Sequence, residues 1–181
     1  RVPLSEALVS NIVTSAKISR GSFYQYFEDK EDAFFFLLDK YSKETNAYFI
    51  NSLREAEGDL FAAYLDMFHY MLRTFKNKEN RDFFSNLFLN MNYKVQEAFT
   101  DRLNNDTFHS ELINVQDLID KKYLNVSNEN ELIQTLEILT AATFQNLIYN
   151  FVKELPDEEA LMHFKSKLEL LKKGLYKGET I

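Results

Sequence analysis

The sequence predicts an all-α protein: two short N-terminal helices joined by a tight turn, then a long helix, then a larger helical bundle. Three observations carry that expectation. Four glycines and two prolines in 181 residues leave long stretches without a helix breaker. Those stretches are rich in Leu, Phe, Glu, Lys and Asn, with apolar residues recurring three and four apart and few runs of Val, Ile or Thr. Hydrophobic residues make up 45% of the chain, including 17 phenylalanines, which is enough to build a core.

The first helix is expected from about Ser5 to Ala16, with a turn at Lys17-Ile18 and a second helix from Ser19 to about Phe27. Ser19 is a good N-cap because its hydroxyl accepts from an orphan backbone N–H. Asp29 caps the third helix, and Glu31 and Asp32 sit favourably in its positive first turn. That helix runs to about Leu53 on the stripe Phe34, Leu37, Leu38, Tyr41, Tyr48 and Phe49, and Gly58 breaks the chain after it. Phe61, Tyr64, Leu65, Phe68, Leu72 and Phe75 form the next stripe, ending in a polar turn over 76–80. Phe83, Phe84, Leu87, Phe88 and Met91 belong to a further helix, and Asn104-Asn105-Asp106 is a breaker cluster.

Asn128 with Glu131 reads as a capping box opening a helix that reaches about Glu154. Pro156 introduces the last helix, where Leu161, Phe164, Leu168, Leu171 and Leu175 alternate by three and four in a coiled-coil-like seam. Periodicity leaves two uses of that seam open, packing within one subunit or half of a dimeric four-helix bundle. Two modules are expected, a head over residues 1–45 and a body over 46–181.

A short helix carrying Phe23, Tyr24, Tyr26 and Phe27 around Gln25 is poorly suited to a core and well suited to a groove. The run Ser19-Arg20-Gly21-Ser22-Phe23-Tyr24, then Phe27, then Lys30-Glu31, closely resembles the DNA-binding signature of TetR-family transcriptional regulators. Leu8 to Val13 and Ser15-Ala16-Lys17 fit that family's preceding helix, so the resemblance covers residues 8–38 at the level of motif. It implies a three-helix type of helix-turn-helix DNA-binding head, a helical-bundle ligand-binding and dimerisation body, and a homodimer on a palindromic double-stranded operator. Three positions depart from the family. Leu8 stands where a capping Thr or Ser is usual, so the helix is expected to start earlier. Lys17 replaces the usual turn glycine, which calls for a different turn geometry. The family's first helix would precede residue 1.

In such a head the second helix enters the major groove while the first crosses the backbone. Arg20 can pair with a phosphate or present its fork to guanine, and Gln25 can bind adenine bidentately. Ser22 adds a short hydrogen-bonding side chain. Tyr24 and Tyr26 offer hydroxyls to phosphates and rings to thymine methyls, whereas Phe23 and Phe27 anchor the helix. Gly21 lies inside a helix, where it costs up to about 1 kcal/mol against alanine; close approach to the sugar-phosphate backbone is the expected compensation. From the resemblance, Lys30 is a phosphate clamp, and Val9 and Ser10 lie where the crossing helix approaches a phosphate.

The net charge of −7 is unevenly spread. Arg1, Lys17 and Arg20 stand against Glu6 over residues 1–27, so that segment carries +2 and the remainder −9. An acidic body with a mildly basic tip is compatible with DNA binding through the tip alone. No cysteine is present, which excludes disulfides, zinc fingers and thiol catalysis. Without a membrane-length apolar run or an opening signal peptide, the cytoplasm is the expected compartment.

In the body, aromatic side chains exceed what the head requires. Phe61, Tyr64, Phe68, Phe84, Phe88 and Phe144 are candidates to line an apolar cavity, with His69 and Gln145 as polar selectors. The expected effector is a small, largely apolar or aromatic molecule that releases a repressor from DNA. Dimer contacts are expected from Leu136, Phe144 and Leu147 on the penultimate helix and from Leu161, Phe164, Leu168, Leu171 and Leu175 on the last. A competing reading keeps DNA binding but makes the body a solid dimerisation core, as in an architectural or protein-partnered factor without an inducer. No enzyme activity, metal or cofactor is expected. His69, His109 and His163 do not form the repeated Glu-x-x-His pairs of carboxylate metal sites, and there is no glycine-rich phosphate loop.

Overall fold

A computed structural model describes residues 4–78, 80–89 and 115–177. Met91, the Asn104–Asp106 cluster and His109 lie outside the described residues. After a 3-10 turn over Leu4–Glu6, the described helices are α1 Val9–Ala16, α2 Arg20–Tyr24, α3 Lys30–Glu55, α4 Leu60–Phe75, α5 Arg81–Leu89, α6 Glu129–Lys153 and α7 Asp157–Leu175. The all-α class is as the sequence predicts. Among these residues the sole extended pairing is one antiparallel bridge between Leu124 and Tyr176, and no helix is long and apolar enough to cross a membrane.

The helix starts follow their caps. Asp29 accepts from the Asp32 backbone N–H at 2.8 Å, while Asp32 accepts from that of Glu28 at 3.0 Å. Asn128 accepts from the backbone of Glu131, whose carboxylate reaches back to the Ser127 N–H. Asp59 caps α4 through the backbone N–H groups of Phe61 and Ala62. Both capping-box ends satisfy donors that a helix leaves unpaired.

The start of the first helix differs from expectation. The first helix begins at Val9, not near Ser5, with Leu8 at the N-cap in extended conformation and without a side-chain cap. Ser5 instead lies in the separate 3-10 turn, because the chain turns extended at Leu8 before the helix begins.

Helix α4 is the axis of the body. Phe68 is fully buried, with its ring 4.3 Å from that of Phe164 on α7. The Tyr64 ring lies 4.8 Å from Phe49 of α3, and its hydroxyl bonds the Leu136 carbonyl and Thr140 of α6. Phe75 stacks on Phe84 of α5 at 3.7 Å, and Phe88 meets Phe151 at 5.0 Å. The expected boundary between residues 45 and 46 falls in the middle of α3, which is unbroken there. Its first half ties the head to α5 through Phe34 against Phe83 at 5.3 Å and through the Tyr41 hydroxyl, which donates to Asn80 at 2.6 Å.

Candidate nucleic-acid interface

The two short helices are joined by a turn in which Lys17 takes the left-handed conformation, φ 56° and ψ 39°. The Lys17 N–H bonds the Thr14 carbonyl and the Ile18 N–H bonds that of Val13. This is a Schellman closure, the geometry a glycine usually provides. The lysine therefore adopts the glycine's conformation, and the different turn geometry expected from its identity does not occur.

Ser19 caps α2, accepting from the Ser22 N–H at 2.9 Å. The Ser19 and Ser22 hydroxyls also share a 2.8 Å hydrogen bond, so Ser22 is turned partly toward the cap. The helix is shorter than expected: it ends at Tyr24, with Gln25 as its C-cap. Phe23 is 2% exposed, with Phe27 and Tyr24 at ring distances of 5.4 Å. The outward side presents Arg20, Tyr24, Gln25 and Tyr26, the last 79% exposed. Arg20 donates to the Tyr24 hydroxyl at 3.4 Å, and its guanidinium lies 5.6 Å from that ring's centroid, which holds both side chains on one ridge.

Gly21 is informative for what surrounds it. A methyl group there would meet only the Ser19 hydroxyl, at 3.6 Å, an ordinary contact. Nothing inside the described protein demands glycine at this position. On α1, Ser10 is exposed and Val9 half-buried. Lys30, at the start of α3, keeps only 20% of its side chain exposed and lies 3.7 Å from Glu31. It is less accessible than a simple phosphate clamp would be.

The residues proposed for a ligand do not converge as a set. Phe61, Tyr64, Phe68, Phe84 and Phe88 are all buried, and the Tyr64 hydroxyl is already satisfied by α6. Burial pushes that hydroxyl's pKa far up, so it stays protonated as a donor. Phe144 is partly buried and packs on the core. Gln145 is exposed on the outer face of α6, so it does not point into the bundle as a selector; its helical phase puts it beside Ile138 and Tyr149 rather than Leu147. His69 lies on the solvent-facing side of α4 with the exposed Ala62 and Arg73 and is itself partly buried. A buried polar group that sequence reasoning did not place among the ligand candidates is Asn150. It is 1% exposed; its amide N–H donates to the Leu155 carbonyl, and its oxygen has no hydrogen-bond partner among the described residues.

The dimer seam also needs correction. Leu136, Leu147, Phe164 and Leu168 are buried inside the subunit and have no surface to offer a second copy. Leu161, Leu171 and Leu175 are partly buried against the same core. The three-four alternation marks the inward stripe of α7, because intra- and intersubunit packing obey the same periodicity. The exposed apolar side chains of these two helices are instead Ile138, Tyr149 and Val152 on α6, and Met162 and Leu170 on α7.

A family model described as "Tetracyclin repressor-like, C-terminal domain" matches residues 59–175. That span runs from the residue that caps α4 to the last residue of α7. The chain belongs to the TetR family. The match and the N-terminal motif are independent, since they share no residue. A search of the curated proteins found no match.

Proposed function

We propose that this TetR-family chain is a sequence-specific DNA-binding transcriptional regulator of the cytoplasm. In this reading it is a repressor released by a small, largely apolar or aromatic ligand. The observation that carries it is the outward side of α2 and of the turn that follows it, where Arg20, Tyr24, Gln25 and Tyr26 stand in solvent beside the buried Phe23. Side chains of these types bind phosphates, guanine and adenine edges and thymine methyls.

The functional unit is a homodimer in which the exposed stripe of α6, Ile138, Gln145, Tyr149 and Val152, meets its copy together with Met162 and Leu170. These four α6 positions share one helical face, and none of the six residues is buried within the subunit. Two heads on one dimer read half-sites about 34–36 Å apart, or a multiple of that. Ligand entry among the aromatic rings of α4, α5 and α6 favours a body conformation whose heads no longer match that spacing. This requires different affinities for the two states.

Fluorescence anisotropy on a duplex from the protein's own promoter region, against a scrambled duplex, tests the reading. The native duplex is expected to bind preferentially, and Tyr24→Ala to abolish the preference with the fold intact. Equal binding to both duplexes across genomic fragments, after ligand stripping, would defeat it. A dimer that binds DNA but is released by no apolar ligand would favour an architectural role.

A further inference from the structure

We infer that Lys17 is a phosphate-contacting positioning residue of the reading head, a cation placed by the turn itself; the inference rests on the DNA-binding reading above. Lys17 is one of three non-glycine residues at positive φ among the described residues, with Glu57 and Glu154. A side chain with a Cβ is strained there, whereas glycine closes such a turn freely. Glu57 bears the same backbone cost far from the head, so strain alone does not mark a contact. Charge and place distinguish Lys17.

The residue stands between α1, the helix that crosses the backbone, and Ser19, the cap of the helix that enters the groove. It is exposed, and its ammonium makes no ion pair or hydrogen bond among the described residues. The two cations nearest in the chain on the reading side are engaged: Arg20 with Tyr24, Lys30 beside Glu31. Lys17 is thus an unspent positive charge on a flexible stem, two residues before the N-cap of α2. A phosphate of the strand flanking the groove is the ligand chemistry that such a point charge suits. The contact carries no sequence information; it fixes the register of the head.

The competing explanation is that lysine merely complements the negative C-terminal end of α1. Anisotropy of the full chain on the promoter duplex, titrated from about 50 to about 300 mM salt, separates the two. Lys17→Gly is expected to lower affinity about eightfold per head near 0.1 M salt and to flatten the log–log salt slope by about 0.9 per head. Its thermal midpoint should hold or rise, because the turn is relieved. Lys17→Arg should keep the wild-type slope. Wild-type affinity and slope in Lys17→Gly, or the same flattening in Lys17→Arg, would overturn the inference while leaving the DNA reading standing. Wild-type protein that shows no preference for its promoter duplex would overturn both.

Discussion

Across α1, α2 and the turn after them, Val13 and Phe23 are the buried apolar side chains, while Ile18, Tyr24 and Tyr26 stand in solvent. In the body, α4 alone buries Leu60, Phe61, Tyr64, Met67, Phe68 and Leu72, among others, in one cluster with α3, α5, α6 and α7. Both regions carry local departures that cost stability: Lys17 and Gly21 in the head, and Glu57, Glu154 and Gly174 in the body. What sets the head apart is that its two departures adjoin an exposed aromatic ridge with little buried beneath it, which is the place for a surface built for something outside the chain. Substitutions in the two regions should therefore separate stability from function.

The largest effect is expected at the centre of the body. Phe68→Ala removes a fully buried ring packed on Phe164 and should cost about 3–5 kcal/mol by urea unfolding. Tyr26→Ala deletes a ring of similar size that is 79% exposed, and should change stability by less than about 0.5 kcal/mol. If Tyr26→Ala unfolded the protein as readily as Phe68→Ala, the head would have to be buried against something, and the contrast would collapse.

Next comes the turn between α3 and α4. Gly58 has φ +85°, and a Cβ there would lie 2.6 Å from the Asp120 nitrogen and 2.7 Å from the Leu118 oxygen. Those are backbone atoms, already joined to the turn by the hydrogen bond from Asp120 to the Gly58 carbonyl. Gly58→Ala should cost on the order of 2–3 kcal/mol. Gly174, with nothing within 4 Å, supplies the control, since alanine there should stabilise α7 by about 0.5–1 kcal/mol. Thermal unfolding of both variants reads the difference directly.

What could be read from the sequence follows from whether its cause is local. Caps at Ser19, Asp29 and Asn128, the break at Gly58 and the extent of α3 were legible because capping chemistry and glycine conformation are local. The outward side of α2 was legible for the same reason. The dimer seam was not: Leu136, Phe164 and Leu168 obey a helical period that reports which side is apolar, not which molecule covers it. Gln145 was misplaced because a polar residue among aromatics reads alike whether it faces in or out. Asn150, buried with an oxygen that has no partner among the described residues, left no trace in the pattern, since asparagine on a helix is ordinarily solvated.

A smaller effect tests the far end of the body, where the Tyr176 hydroxyl donates to Asp59 at 3.3 Å. Burial, and then the nearby Asp59 and Asp120 carboxylates, push its pKa up to about 12 from an ordinary 10. A raised pKa in the folded state means that its stabilisation is complete below pH 10 and is lost as pH climbs from 10 toward 12. Tyr176→Phe should cost up to about 1 kcal/mol at neutral pH. The wild-type advantage should shrink across that alkaline window, as read from unfolding curves at each pH. Tyr64, also shifted upward, is common to both proteins and cancels in the difference.

A comparably small change in stability carries the most diagnostic sign. Gly21 lies in α2, where alanine should stabilise the helix by up to about 1 kcal/mol, and the nearest atom to its added methyl is the Ser19 hydroxyl at 3.6 Å. By every consideration internal to the protein, Gly21→Ala should be a gain, seen as a raised thermal midpoint. If the glycine is there to let α2 approach the sugar-phosphate backbone, the same variant should bind the promoter duplex less tightly. A substitution within the buried core of the body cannot easily produce that pair of signs, because it lowers stability first. Gly21→Ala that is more stable and still binds DNA with wild-type affinity would remove the close-approach argument and shift recognition to the side chains of Arg20, Tyr24, Gln25 and Tyr26.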